Sequence, residues 1–206
     1  MGLLKLLVQD PLSFLLMAVP LLYSVILHEL AHGWVAYRLG DPTARQAGRL
    51  SLNPIKHLDP IGTAMLFLVG FGWARPVPVN FNRLRNRHGA MIAVAAAGII
   101  ANMLVAIGAM LLDRLLAPSP TGLLGVPLFW LAQINIILAA FNLIPLPPLD
   151  GSKILMGFAS PRVQNALLRI EPYGFFILIG LLFTGVLDSV IVFFRQLILF
   201  VVNSVI

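Results

Sequence analysis

Residues 11–39 read PLSFLLMAVPLLYSVILHELAHGWVAYRL and decide how the chain folds. The run has no charged residue before Glu29, and it exceeds the ~20 residues that a helix needs to cross the hydrocarbon core of a bilayer. Pro11 suits the first turn of a helix, and Gly40-Asp41-Pro42 supplies a stop signal. The stretch therefore predicts a membrane-spanning helix with ionisable residues inside it.

The rest of the chain has the composition of a membrane protein. Of its 206 residues, 59% are hydrophobic and 11% are charged, against roughly 25% charged in a soluble domain. Three further apolar runs lie near residues 90–112, 123–146 and 173–206, the last interrupted at Asp188. We predict one all-α integral membrane domain over residues 1–206, with about five to six transmembrane helices.

Two short segments after the first helix predict a different local structure. Residues 61–73 are apolar but too few to cross comfortably, which favours a re-entrant or interfacial segment. Residues 47–52 alternate loosely between apolar and polar, so a short β-strand or hairpin is also expected there. Such an edge strand is a hypothetical binding site for an unwound substrate.

The sequence His28-Glu29-Leu30-Ala31-His32 predicts a metal site. Residues four apart share one face of a helix, so both imidazoles can meet one cation. Glu29 lies about 100° around the helix, beside the metal, where it can take a proton from water. A charged or strongly polar side chain in the middle of a membrane helix adds ~2.5–3.5 kcal/mol to the free energy of insertion. Coordination to a metal would offset this cost. The alternative is that these side chains only satisfy one another.

A third metal ligand has to come from elsewhere in the chain. A catalytic zinc typically has three protein ligands and one open position, and the absence of cysteine leaves nitrogen and oxygen donors. Asp150 is the best candidate, because the prolines before it unwind a membrane helix and free backbone groups that only a polar cavity tolerates. Taken alone, Asp-Gly after prolines is more often a turn.

Together, HELAH (residues 28–32) and NLIPLPPLDG (residues 142–151) resemble the motifs of the site-2 protease family, peptidase family M50, in its short bacterial and archaeal form. The resemblance continues through GWVAYRLGD, AGRLSLNPIKHLDPIGT and FGWARPVPVN, and so covers roughly residues 20–155. It implies one Zn²⁺ held by His28, His32 and Asp150, and water activated by zinc and Glu29. The implied reaction is endoproteolysis in or near transmembrane segments of substrate proteins. No appended PDZ or CBS domain is expected.

Three asparagines are candidate substrate-binding residues. Asn142 and Asn135 lie on nearly one helical face, and by resemblance Asn142 hydrogen-bonds the substrate carbonyl. Asn102 follows Ala97-Gly98-Ile99, where similar proteins often read Ala-Gly-Pro, and its amide is expected to face the site. The alternative for Asn142 and Asn135 is hydrogen bonding between helices, which is common in membranes.

The distribution of basic residues predicts the orientation. Eleven of the fourteen Lys and Arg residues lie in residues 38–87 or 153–169, so both loops should be cytoplasmic. The amino terminus is then outside, and the active site faces the cytoplasm. The net charge of +6 is scattered between apolar segments rather than gathered in a basic arm, so a nucleic-acid partner is not expected.

A second class of function stays open, that of a non-catalytic metal-binding membrane protein such as a zinc transporter or an inactive scaffold. Transport favours further ionisable groups along a path, and the later spans show only Asp113 and Asp188 near their predicted ends. Two histidines and a carboxylate also suit other divalent ions, and zinc is preferred by analogy.

Overall fold

The computed structural model describes residues 3–70, 72–84 and 87–205. Phe71, which opens the FGWARPVPVN motif, and Arg85 of the first basic loop lie outside them. The described residues form helices and no strand, which confirms the all-α prediction. The helices are α1 Leu3–Gln9, α2 Pro11–Arg38, α3 Thr43–Gln46, α4 Pro60–Val69, α5 Arg87–Leu116, α6 Gly125–Asn142, α7 Asp150–Phe158, α8 Pro161–Ile170, α9 Gly174–Phe183 and α10 Val186–Val205.

Five helical stretches in the described residues are long and apolar enough to cross a membrane. The number agrees with the prediction of about five to six spans, and the chain is a multi-pass membrane protein. One stretch joins α8 and α9 through a short 3-10 turn, Glu171–Tyr173. The five are Pro11–Arg38, His88–Leu116, Gly125–Asn142, Pro161–Phe183 and Val186–Val205.

Helices α2, α5 and α6 pack together at the centre of the bundle. Small side chains let the backbones of α5 and α6 approach closely, and α10 closes the same core. A polar contact joins α2 to α6, because Asn135 Nδ2 donates to Ser24 Oγ over 2.7 Å. The buried residues of this core are Ile99, Ala106, Ile136, Ala139, Ala140, Ile198 and Val202.

The chain between α2 and α5 makes a short excursion and returns. Helix α4 has ten residues, too few to span a bilayer. The returning chain packs against it so closely that a Cβ at Gly62 would lie 2.1 Å from the Trp73 carbonyl oxygen. An isolated antiparallel bridge pairs Leu58 with Ala74. This shape fits the predicted re-entrant segment better than the predicted hairpin.

The strand predicted at residues 47–52 is wrong, because these residues form turns. The backbone bends at Gly48, whose φ is +64°. Arg49 N–H then donates to the Ala44 carbonyl over 2.9 Å, and Ser51 N–H donates to the Arg49 carbonyl over 3.0 Å. Local turn bonds therefore use groups that an edge strand would need, and the strand-addition hypothesis for this segment loses its basis.

The last apolar stretch differs from its prediction in two ways. Its break lies at Gly185, where φ is +71°, and not at Asp188. Arg195 lies in the middle of α10, so the expectation that the later spans carry ionisable groups only near their ends was wrong. Its Nη2 donates to Gln133 Oε1 over 3.2 Å, which joins α10 to α6.

Candidate metal centre

Three side chains from two helices converge on one point. His28 and His32 lie one turn apart on α2, and Asp150 is the first residue of α7. The two Nε2 atoms are 3.0 Å apart, and each is 3.1 Å from Asp150 Oδ2. All three residues are buried, with 6–8% of their surface exposed. The structure thus brings together the three predicted ligands, although 118 positions separate His32 from Asp150 in the sequence.

The end of α6 positions Asp150 beside the two histidines. The helix stops at Asn142, before three prolines that lack the N–H needed to continue it. Helix α7 then starts against the end of α6, and a Cβ at Gly151 would lie 2.3 Å from the Leu143 carbonyl oxygen. Only glycine permits this approach. The Asp-Gly pair is therefore more than a turn, because its glycine lets the aspartate reach α2.

His32 and Asp150 each have a second contact that orients them. His32 Nδ1 lies 2.7 Å from the Val94 carbonyl oxygen of α5. A carbonyl only accepts, so Nδ1 carries the proton and Nε2 presents its lone pair to the centre. Lys153 Nζ lies 4.0 Å from Asp150 Oδ1, the oxygen that faces away from the imidazoles. These contacts hold each donor atom in place.

The donor triangle fits a tetrahedral metal ion. Zinc bonds to nitrogen and carboxylate oxygen of ~2.0–2.2 Å place neighbouring ligand atoms about 3.3–3.5 Å apart, a few tenths of an ångström beyond the separations here. Asp150 Oδ2 is buried and accepts no hydrogen bond from the residues that the structure describes, so a cation would satisfy it. Two imidazoles and one carboxylate are ligands that zinc commonly takes.

Glu29 lies beside the triangle and is held by backbone. Its Oε2 accepts a hydrogen bond from Val77 N–H over 2.7 Å. Val77 stands between Pro76 and Pro78, neither of which has an N–H, so it is the sole donor of that tripeptide. Glu29 is half-buried and lines the same cleft as the two histidines.

The extended segment that holds Glu29 is itself fixed at both ends. Arg49 Nη2 donates to the Arg75 carbonyl over 2.6 Å, and Asn80 N–H donates to Asp41 Oδ2 over 2.6 Å. Asp41 also accepts from the backbone N–H and the hydroxyl of Thr43. Burial raises the pKa of Asp41, but these hydrogen bonds outweigh it, so its pKa lies below the ordinary value.

Replacing Asp41 with Ala should destabilise the protein by about 1.5–3 kcal/mol at neutral pH, because partly buried donors lose a charged acceptor. The folded-state pKa is depressed, so this stabilisation is full above the unfolded pKa of about 3.9 and is lost as pH falls through the folded value. Thermal unfolding in detergent from pH 7 downward measures it. A gap between wild type and variant that widens toward acid pH would contradict the assignment.

A cleft of about 320 Å³ opens over these groups. The triangle, Glu29 and Asn142 all line it. Asn142 Nδ2 at present donates to the Leu138 carbonyl of its own helix over 3.0 Å. Asn102 is wholly buried against His28, and Asn135 is wholly buried against Ser24, which favours the helix-packing alternative for Asn135. Of the three asparagines, Asn142 is the one that lines the cleft.

Comparison with known proteins agrees with this geometry. The model of the family described as "Peptidase family M50" matches residues 119–184, a range that includes Asp150 but not the two histidines. A Bacillus subtilis protein named "Putative zinc metalloprotease YwhC" is 43% identical over 183 residues, which cover 84% of this chain and 83% of the relative. The chain belongs to peptidase family M50. It is a metalloprotease.

More distant M50 relatives carry the same kind of name. "Putative zinc metalloprotease Rip2" of Mycolicibacterium smegmatis is 30% identical over 85% of this chain and 69% of its own length. The Mycobacterium tuberculosis H37Rv protein of that name is 28% identical over 82% of this chain and 66% of its own length. No solved structure matches the chain.

Sequence reasoning missed several residues of this M50 site. Lys153 could have been predicted from the sequence, because it lies three residues after Asp150 on a helix and so shares its face. The Pro-Val-Pro pattern pointed to an extended segment but not to its partner, Glu29. Gly98 gave no signal at all, although a Cβ there would lie 2.5 Å from His32 Nε2.

Proposed function

We propose that this M50 metalloprotease is an intramembrane zinc endopeptidase that hydrolyses peptide bonds in or near transmembrane segments of its substrates. The observation that supports the proposal is the buried triangle of His28 Nε2, His32 Nε2 and Asp150 Oδ2, with Glu29 beside it in one cleft. The names of the relatives, which specify zinc, favour that metal over other divalent ions.

The residues of the chain have separate roles in this account. A zinc ion held by the three ligands would supply the Lewis acidity that activates water and polarises the scissile carbonyl. Glu29 accepts the proton from the water and later delivers it to the leaving amine. Val77 N–H keeps the Glu29 carboxylate aimed at the cleft. Asn142 turns its amide from Leu138 to the substrate carbonyl.

A helical substrate has to be unwound locally before it can react. Its amide carbonyls are engaged in intrahelical hydrogen bonds, which water and metal cannot reach. Glycine or proline near the scissile bond should therefore favour cleavage, because both destabilise a helix. We expect transmembrane proteins or peptides as partners, including remnants of earlier cleavage.

Purified protein in liposomes should cleave a membrane-spanning test peptide that has a Pro or Gly at its centre. A strong chelator should abolish cleavage, and zinc should restore it, since metalloprotein activity depends on the bound ion. The matched control is an identical peptide with Leu at those positions, which we expect to be cut more slowly. Equal cleavage of soluble peptides would contradict intramembrane action, and chelator-resistant cleavage would contradict the metal mechanism.

We propose further that the cleft opens to the cytoplasm. Its lining includes Val77 from the first basic loop and Lys153 from the second, and the Lys and Arg content of these loops favours the cytoplasmic side. The chain has no cysteine, so a single cysteine at Lys56 can be labelled without background. Labelling by an impermeant reagent in inside-out vesicles is expected. Labelling only from the outside of intact cells would contradict this orientation.

A further inference from the structure

We infer that Asn102 is a positioning residue that fixes the orientation and the tautomer of His28. Its Nδ2 lies 3.2 Å from His28 Nδ1, and both side chains are buried, Asn102 completely. The inference rests on the proposed metal centre. It assigns Asn102 to the metal site and not to the substrate.

One stripe of α5 runs along the two histidines. Val94, Gly98 and Asn102 are spaced by four residues and so lie on one helical face. Val94 supplies a carbonyl to His32, and Gly98 leaves room for both rings. Asn102 meets His28 two turns further on. Helix α5 thus contacts both imidazoles along one face, which gives the stripe a common role.

The chemistry of a metal ligand decides which way the Asn102 amide points. His28 Nε2 can bind a cation only if it has a lone pair, and a neutral imidazole then carries its proton on Nδ1. That proton needs an acceptor, and Asn102 is the side chain in contact. A half-turn of the amide exchanges its oxygen and nitrogen without changing the packing. The metal-loaded site therefore has Asn102 Oδ1 accepting from His28 Nδ1–H.

This arrangement completes the set of second contacts. His32 donates to the Val94 carbonyl, and the second oxygen of Asp150 faces Lys153. Asn102 makes the corresponding contact with His28. Partners of this kind raise the basicity of a ligand and hold its ring, and their loss typically weakens metal binding about 10–100-fold.

The test compares the zinc affinity of the full-length protein with that of three variants, by competition with a chromophoric chelator. Asn102→Leu removes the acceptor and should bind zinc about 10–100-fold more weakly. Asn102→Asp keeps an oxygen acceptor but cannot donate, so it should stay within roughly threefold of wild type. Asn135→Leu is the control, because it removes another buried asparagine that contacts α2 at Ser24 and not at a metal ligand.

Cobalt substitution gives a second readout. The visible spectrum of the Co²⁺ form should change in Asn102→Leu and be restored in Asn102→Asp. If Asn102 had a purely structural role, the spectrum would not depend on whether the side chain at this position has an oxygen acceptor. The inference about Asn102 would be overturned if Asn102→Leu bound zinc with wild-type affinity, or if Asn102→Asp bound zinc as weakly as Asn102→Leu. Either result would leave the proposed metal centre itself intact. Failure of wild type and the Asn135 control to bind zinc would overturn the proposed metal centre as well.

Discussion

Replacing Glu29 with Gln should leave the metal bound and reduce turnover about 10²–10⁴-fold, the usual contribution of a general acid–base. The amide keeps the size of the carboxylate and can still accept from Val77 N–H, so the cleft should keep its shape. It cannot take a proton from water. Turnover of a membrane-spanning peptide and zinc content, measured on the same sample, report the two effects separately.

The same variant separates a protease from a transporter or an inactive scaffold. Those functions require the metal ligands but no proton acceptor beside them, so they should largely persist. Asp113→Asn makes the same carboxylate-to-amide change at an exposed position near the end of α5 and should keep wild-type activity. If Glu29→Gln and Asp113→Asn both cleave at the wild-type rate, Glu29 is not the general base.

Replacing Gly98 with Ala should empty the metal centre without unfolding the protein. The new Cβ would lie 2.5 Å from His32 Nε2 and 2.6 Å from Cε1 of both His28 and His32. The rings cannot withdraw and still meet Asp150, because the donor atoms are only 3.0–3.1 Å apart. The helix itself should tolerate the change, since alanine is a better helix former than glycine.

Helix α5 offers a matched control for this variant. A Cβ at Gly108 would meet no atom within 4 Å, so Gly108→Ala makes the identical change with no steric effect. We expect zinc at the wild-type level in Gly108→Ala and none in Gly98→Ala, with both proteins folded by circular dichroism. Stoichiometric zinc in Gly98→Ala would show that the histidine rings are not placed as described.

The features that could be predicted from the sequence are those set by local rules. Helical spacing places His28 and His32 on one face, and apolar runs locate the long helices within a few residues of their observed ends. Asp150 was reached by its motif, because no spacing rule relates two residues more than a hundred positions apart. Its arrival at the histidines depends on how α7 packs against α5.

The parts that sequence reasoning missed depend on tertiary contact. Gly98 reads as an ordinary helical glycine until the rings of α2 are placed against it. Residues 47–52 alternate like a strand, yet the turn at Gly48 uses their backbone groups locally. Nothing in the sequence pairs Arg195 with Gln133, because only packing brings α10 and α6 together.

In the proposed metal centre, one metal ion is held by two imidazoles from α2 and one carboxylate from α7. Zinc analysis with X-ray absorption spectroscopy of the purified protein, beside the Asp150→Ala variant, tests it most directly. We predict one zinc per chain, with nitrogen and oxygen ligands at ~2.0–2.2 Å including two imidazoles, and loss of stoichiometric zinc in the variant. A wild-type protein without bound metal, or an unchanged spectrum in Asp150→Ala, would contradict the account.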